Sequence, residues 1–212
     1  EMLRSLVGSE MCIRDSTTTV QTTTTQQVSI ANETAVSTTS SGTSVSQATA
    51  AASSSQNQSK YEANVASVAG KMDNRVIAAY QQLGFKLVVD PSVNYSGYFD
   101  ARSRSITMKQ IDDSVYHELG HFLAFIAGNA DKTASFQSIF AAEKANVTAF
   151  NKAYVTQNAS EYFAESVKDY ILNNASLKSS RPQTYAAVQN ALNQITDAQI
   201  AKIQKIYGAF WN

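Results

Sequence analysis

The chain has two histidines, and they stand four residues apart in His117-Glu118-Leu119-Gly120-His121. This H-E-x-x-H spacing constrains the fold more than any other feature of the sequence. On a helix, residues i and i+4 lie one above the other on the same face, so both imidazoles can reach one metal ion. Glu118 projects beside them, where a carboxylate can take a proton from a metal-bound water. The segment is therefore predicted to be helical, with that face turned toward an enclosed site. The competing reading is a pair of helix histidines that face solvent or a carboxylate.

Composition narrows the partners. The 17 basic and 17 acidic side chains balance, and the part from Lys60 onward is close to neutral. Neither nucleic acid nor an anionic membrane surface is implied. No apolar run reaches the length of a bilayer span. Cys12 is the one cysteine, which excludes a disulfide framework within the chain and a cysteine-based zinc site.

Three stretches differ in character. Residues 1–16, EMLRSLVGSEMCIRDS, resemble translated read-through of a sequencing adapter and carry no fold information. Cys12 is then not a native residue, and an export signal cannot be read there. Residues 17–59 are nearly all Ser, Thr, Gln, Ala, Asn and Val, with Glu33 their one charged residue. Lacking aromatic residues and a sustained apolar period, they cannot offset the entropy of ordering. They read as a flexible tether, either a stalk for an exported domain or a plain disordered tail. Residues 60–212 read as the folded domain.

Within that domain, Tyr61, Val65, Val68, Met72, Val76, Tyr80 and Leu83 recur at helical spacing up to a stop at Gly84. Phe85-Lys86-Leu87-Val88-Val89 has the residues of a strand, closed by Asp90-Pro91. Gly97-Tyr98-Phe99 and Ser105-Ile106-Thr107-Met108 flank a polar turn over 100–103 and read as a hairpin. Asp112 or Asp113 can cap the motif helix, which Gly128 ends. The later elements look helical. Phe136, Ile139, Phe140 and Glu143 mark one; Tyr162, Phe163, Ser166, Val167, Tyr170 and Ile171 mark another, capped by Asn158 or Ser160. Pro182 suits the first turn of a third, and Thr196-Asp197-Ala198-Gln199 is a capping-box sequence for the last. Helix, small sheet, motif helix and helical remainder make an α+β fold.

Two histidines leave a catalytic zinc one protein ligand short. Ala124 and Ala127 stand where a third histidine would follow in the extended H-E-x-x-H-x-x-G-x-x-H pattern, so the missing ligand is expected to be a carboxylate. Asp131 follows Gly128 too soon to fold back easily. Glu143 reads as the exposed edge of its helix, and Asp169 lies two turns beyond Glu161. The best candidates are Glu161 and Glu165 in Glu161-Tyr162-Phe163-Ala164-Glu165, which share one helix face. One can bind metal while the other supports the ligands through hydrogen bonds. The bland alternative is a solvated stripe of like charges.

The segments HELGH at 117–121, FQSIFAAEK at 136–144, EYFAES at 161–166 and LKSSRPQTY at 177–185 resemble the lethal-factor-like zinc peptidases. That family includes the catalytic domain of anthrax lethal factor and the clostridial Pro-Pro endopeptidases. The resemblance implies a zincin-like domain with one zinc ion per chain, held by His117, His121 and Glu161. It implies Glu118 as general base, Glu165 as support for the ligands, and Tyr154, seven residues before Glu161, as donor to the reacting carbonyl oxygen. The Pro-Pro-cutting members carry a longer loop with a tryptophan before the motif helix. This chain has a short hairpin there, and its one tryptophan is Trp211.

The expectation is therefore a monomeric zinc endopeptidase acting on an extracellular protein or peptide, secreted or held at a bacterial surface. Substrate is expected to lie extended along a sheet edge at Ser105, Ile106, Thr107 and Met108 by strand addition. The competing class is a non-catalytic zinc-binding surface module that keeps the fold.

Overall fold

The computed structural model describes residues 59–211. The adapter-like stretch 1–16, and the tether read over 17–59 apart from its last residue, lie outside the described residues. In chain order the elements are β1 (Tyr61–Ala63), α1 (Val65–Val68), α2 (Asn74–Gln82), β2 (Lys86–Val89), β3 (Gly97–Asp100), β4 (Ser105–Met108) and α3 (Ser114–Ile126). There follow α4 (Ala134–Glu143), α5 (Lys152–Val155), α6 (Ala159–Leu172), α7 (Asn174–Ser180), α8 (Pro182–Asn193) and α9 (Asp197–Tyr207). The architecture is α+β, as expected.

The single helix expected over 61–83 is instead a strand and two helices. Its start is β1, which pairs antiparallel with β2, Tyr61 opposite Val89 and Ala63 opposite Leu87. That pairing covers a strand edge that would otherwise be bare. Asn64 then ends the strand, its side chain accepting from the Ala66 and Ser67 N–H groups to start α1. Asp73 caps α2 by accepting from Arg75 N at 2.9 Å. The apolar period survives the breaks: Val65, Met72, Val76, Tyr80 and Leu83 are all buried in the same core.

The sheet order is β1-β2-β4-β3. β2 and β4 are parallel, and β3 and β4 form the expected hairpin, with Gly97 opposite Met108 and Asp100 opposite Ser105. β3 is thus an edge strand, and β4 is not. Tyr80, Phe85, Phe99, Phe122 and Phe125 fill the layer between sheet and α3 with tilted and edge-on ring contacts. Trp211 closes this cluster. Its indole N–H donates to Ala101 O at 2.9 Å, and the Arg104 guanidinium lies over its ring. The C-terminal segment thereby pins the β3–β4 turn.

Helix α3 is buried along nearly its whole length, and α6 is its main helical neighbour. At their crossing Gly120 faces Ala164. A Cβ built on Gly120 would lie 2.7 Å from the Ala164 backbone, so only glycine permits this approach. Gly128, at φ +78°, ends the helix. Gln199 of the predicted capping box donates to Ile126 O at 2.9 Å and so satisfies a terminal carbonyl of α3, while Thr196 accepts from Gln199 N.

Candidate metal centre

The crossing of α3 and α6 places the chemistry. His117 and His121 project from one face of α3, their ring centroids 5.0 Å apart. Glu161 enters from the first turn of α6, which is set by Asn158 accepting from Glu161 N at 2.9 Å. His117 Nε2 lies 3.1 Å from Glu161 Oε2, and His121 Nε2 lies 3.6 Å from Glu161 Oε1. One ligand atom from each of His117, His121 and Glu161 falls within 4.8 Å of the others. This group can hold a metal ion. Phe99 of β3 lies nearly parallel to the His121 ring, with centroids 6.5 Å apart.

The donor set fits a cation. Glu161 is fully buried, and its Oε1 accepts no hydrogen bond. A buried carboxylate oxygen with no donor is costly unless a positive charge meets it. Glu118 is also buried, and its Oε1 likewise has no hydrogen-bond partner. Two imidazoles and two carboxylates of this kind, packed into one site, describe a cage for a divalent ion better than a set of solvated side chains.

The electrostatics agree. Burial alone would pull the His117 pKa down, but the Glu161 and Glu165 contacts and nearby carboxylate charge outweigh it, and the pKa is pushed up to about 10. Burial pushes Glu161 up, yet the two histidines hold its carboxyl far below the usual range. Burial dominates at Glu118 and raises its pKa against the pull of both histidines. Glu165 is held low by His117 and Lys168 despite its burial.

Glu165, one turn beyond Glu161, accepts from His117 Nδ1 at 2.9 Å. That bond fixes which nitrogen of the ring faces the metal position, the arrangement metal-binding histidines ordinarily need. Tyr154 sits on α5 with its ring 6.5 Å from that of His117. All six residues expected at the site, His117, Glu118, His121, Tyr154, Glu161 and Glu165, therefore converge.

Ser105, Ile106, Thr107 and Met108 do not form the expected sheet edge. They are β4, hydrogen-bonded to β2 on one side and β3 on the other, and Ile106 and Met108 are buried. No edge is left there for a substrate strand. The edge beside the site belongs to β3. A Cβ on its Gly97 would lie 2.6 Å from Glu118 Oε1.

The rejected acids have other work. Glu143 is not exposed: it is buried and accepts from Gln183 N at 3.0 Å, Thr184 N at 2.9 Å and Thr184 Oγ1 at 2.7 Å, capping α8. Asp131 accepts from Ser160, and Asp169 pairs with Arg181. One residue was missed. Lys168 donates to Glu165 Oε1 at 3.2 Å, a contact that the i, i+3 spacing of the two residues could have signalled.

The fold is an α+β domain with a side-chain group that could hold a metal ion, and comparison with known proteins shows what it is similar to. The family model for the anthrax toxin lethal factor, N- and C-terminal domain, matches residues 100–191. The Pro-Pro endopeptidase of Clostridioides difficile (strain 630) is 41% identical over 78 residues, which are 35% of this chain and 34% of that protein. Both agree on the lethal factor-like family, to which the sequence motifs also point. The chain spans about a third of the length of this relative.

Proposed function

We propose that the protein is a zinc-dependent endopeptidase acting on an extracellular protein. The observation that carries this reading is the buried His117, His121 and Glu161 group, with the Glu118 carboxyl buried beside it. The similarity to an enzyme named a Pro-Pro endopeptidase supports the reaction class.

His117, His121 and Glu161 would hold the ion. When bound, zinc polarises a carbonyl and makes water a nucleophile near neutral pH. The rest of the chemistry belongs to the side chains. Glu118 takes a proton from the attacking water and returns it to the leaving nitrogen as the C–N bond breaks. Its burial favours this, because a carboxylate whose pKa is raised shares protons more readily. The Tyr154 hydroxyl donates to the carbonyl oxygen as negative charge develops there. Glu165 keeps the His117 ring in its binding orientation.

Substrate is assigned to the edge of β3, Gly97–Asp100, in place of β4. An extended peptide can add to that edge by main-chain hydrogen bonds, which would carry it past Gly97, itself packed against the Glu118 carboxyl. No helix among the described residues is long and apolar enough to cross a membrane. The Ser/Thr-rich sequence of 17–59 suits a tether, which favours secretion or surface attachment.

The test is metal analysis of the purified full chain together with turnover of a mixed peptide library that includes Pro-Pro sequences. The expected result is one zinc per chain, with cleavage abolished by chelation and restored by zinc. Stoichiometric zinc without cleavage of any library member would favour the non-catalytic surface module. Absence of zinc after folding with zinc supplied would overturn the ligand assignment. The library also decides whether Pro-Pro bonds are among those cut.

A further inference from the structure

Lys168 lies one turn beyond Glu165 on α6, and its ammonium donates to Glu165 Oε1 at 3.2 Å. The other oxygen of that carboxylate faces His117 Nδ1 at 2.9 Å. The opposite nitrogen of the ring, Nε2, faces Glu161 Oε2 at 3.1 Å. A line of charged contacts therefore runs from the partly exposed surface of α6, through a buried carboxylate, to the imidazole at the metal position. We propose that Lys168 is a positioning residue for this metal centre: it pins Glu165 against His117 and thereby tightens the hold of the site on zinc. The inference rests on the metal reading above and extends it outward from the ligands.

The physical need for a second anchor is plain. The terminal torsion of a glutamate is broad, so one contact leaves its carboxylate free to turn. Without a cation at its other oxygen, Glu165 is held by the His117 contact alone. Lys168 supplies that cation from a side chain 28% exposed.

An opposing effect must be weighed, since an ammonium repels a divalent cation. The Lys168 charge is met directly by the Glu165 carboxylate and is partly screened by solvent, which leaves a small residual repulsion. Groups that orient a metal-binding histidine are worth on the order of 10–100-fold in metal affinity. Positioning is the larger effect, and it sets the sign of the prediction.

The experiment measures zinc affinity of the full chain, stripped of metal, by competition with a chromophoric chelator. K168M is expected to weaken zinc binding about five- to tenfold, a fraction of the effect of the carboxylate it holds. K168R should restore affinity to within about twofold, because it keeps a cationic donor. In an E165A background K168M should change nothing further. If K168M loses the fold in its metal-free melting curve, K168Q is read the same way. Unchanged or tighter binding by the lysine variant, or equal weakening with and without the Glu165 carboxylate, overturns the inference. A parent protein that binds no zinc overturns the metal reading along with it, whereas a parent with one zinc and an unaffected K168M overturns this inference alone.

Discussion

Glu118 and Tyr154 separate chemistry from metal binding, because neither belongs to the group of ligand atoms formed by His117, His121 and Glu161. Glu118→Ala removes a buried carboxyl that accepts one backbone hydrogen bond, from Phe99, so its melting curve is read beside its activity. The variant should hold zinc and be essentially inactive, because the proton carrier is gone. Tyr154→Phe keeps the ring that lies beside His117 and deletes one hydroxyl. It should lower kcat by roughly 10–1000-fold with a smaller change in KM, as for the loss of one donor to a developing oxyanion. Steady-state kinetics on the best library peptide, with zinc content measured in parallel, checks both. Full activity in Tyr154→Phe would make the tyrosine a packing residue. The grouping of His117, Glu118 and His121 was legible in the sequence because it lies in spacing along one helix turn, whereas Glu161 comes from a second helix 44 positions from His117. The role of Glu165 toward His117 spans 48 positions in the chain, and the bare sequence left it open between ligand, support and solvated charge.

Helices α3 and α6 cross where Gly120 meets Ala164, and that contact fixes the distance between the histidines and Glu161. Gly120→Ala would gain about 1 kcal/mol of helix propensity. The new methyl would also lie 2.7 Å from backbone atoms of Ala164, which cannot swing away as a side chain can. Overpacking of this kind costs about 1–3 kcal/mol or more, so the net effect should be a lower melting temperature. The helices should also move apart and weaken zinc binding; a variant that matches the parent in both measurements would show that the crossing has slack. Helix α2 offers a test in pH. The Arg75 contact holds the Asp73 carboxyl below its ordinary value of 3.8. A folded pKa below the unfolded one contributes stability above the unfolded value and loses it as pH falls through the folded one. Asp73→Ala should therefore cost about 1 kcal/mol at neutral pH, and the gap should close as pH falls below the ordinary carboxyl value of 3.8 and through the lowered one. A gap that stays constant on acidification would deny the carboxylate this role. Element boundaries were less legible than element types. The apolar period from Tyr61 to Leu83 is real, but Asn64 and Asp73 claim backbone N–H groups for new starts, and a strand partner 24 to 28 residues away takes the first turn. The same limit hid the sheet order. A hairpin is a local pattern, whereas the parallel pairing of β2 with β4, which makes β4 internal, has no local signature.

The helical half of the domain is tied to α6 by buried polar groups as well as by apolar packing. The Glu143 carboxylate at the end of α4 accepts from two N–H groups in the first turn of α8 and from the Thr184 hydroxyl. Thr184 in turn bonds the Tyr162 hydroxyl at 2.7 Å, and Tyr162 is the neighbour of Glu161 on α6. Arg181 crosses the same space, donating to Ser166 at 3.0 Å, pairing with Asp169 and lying over the Tyr162 ring. Sequence pattern alone made Glu143 an exposed helix edge, because its partners come 40 and 41 positions later. A negative charge at the start of α8 is favourable both for the unsatisfied N–H groups and for the helix dipole. Glu143→Ala would strand one buried and one partly buried N–H donor and take one acceptor from the Thr184 hydroxyl, a loss on the order of 3 kcal/mol or more. For a domain of this size that corresponds to a fall in melting temperature of roughly 6–12 °C. Glu143→Asp should lose less, since it keeps the charge at a shorter reach. Zinc bound per folded molecule should be unchanged in both, because none of the groups Glu143 contacts is a ligand. Thermal melts of the metal-free and zinc-loaded full chain separate the two effects: zinc should raise the melting temperature of Glu143→Ala by as much as it raises that of the parent. If zinc instead fails to stabilise the variant, the polar junction also sets the ligand geometry, and the helical half is part of the metal centre rather than its support.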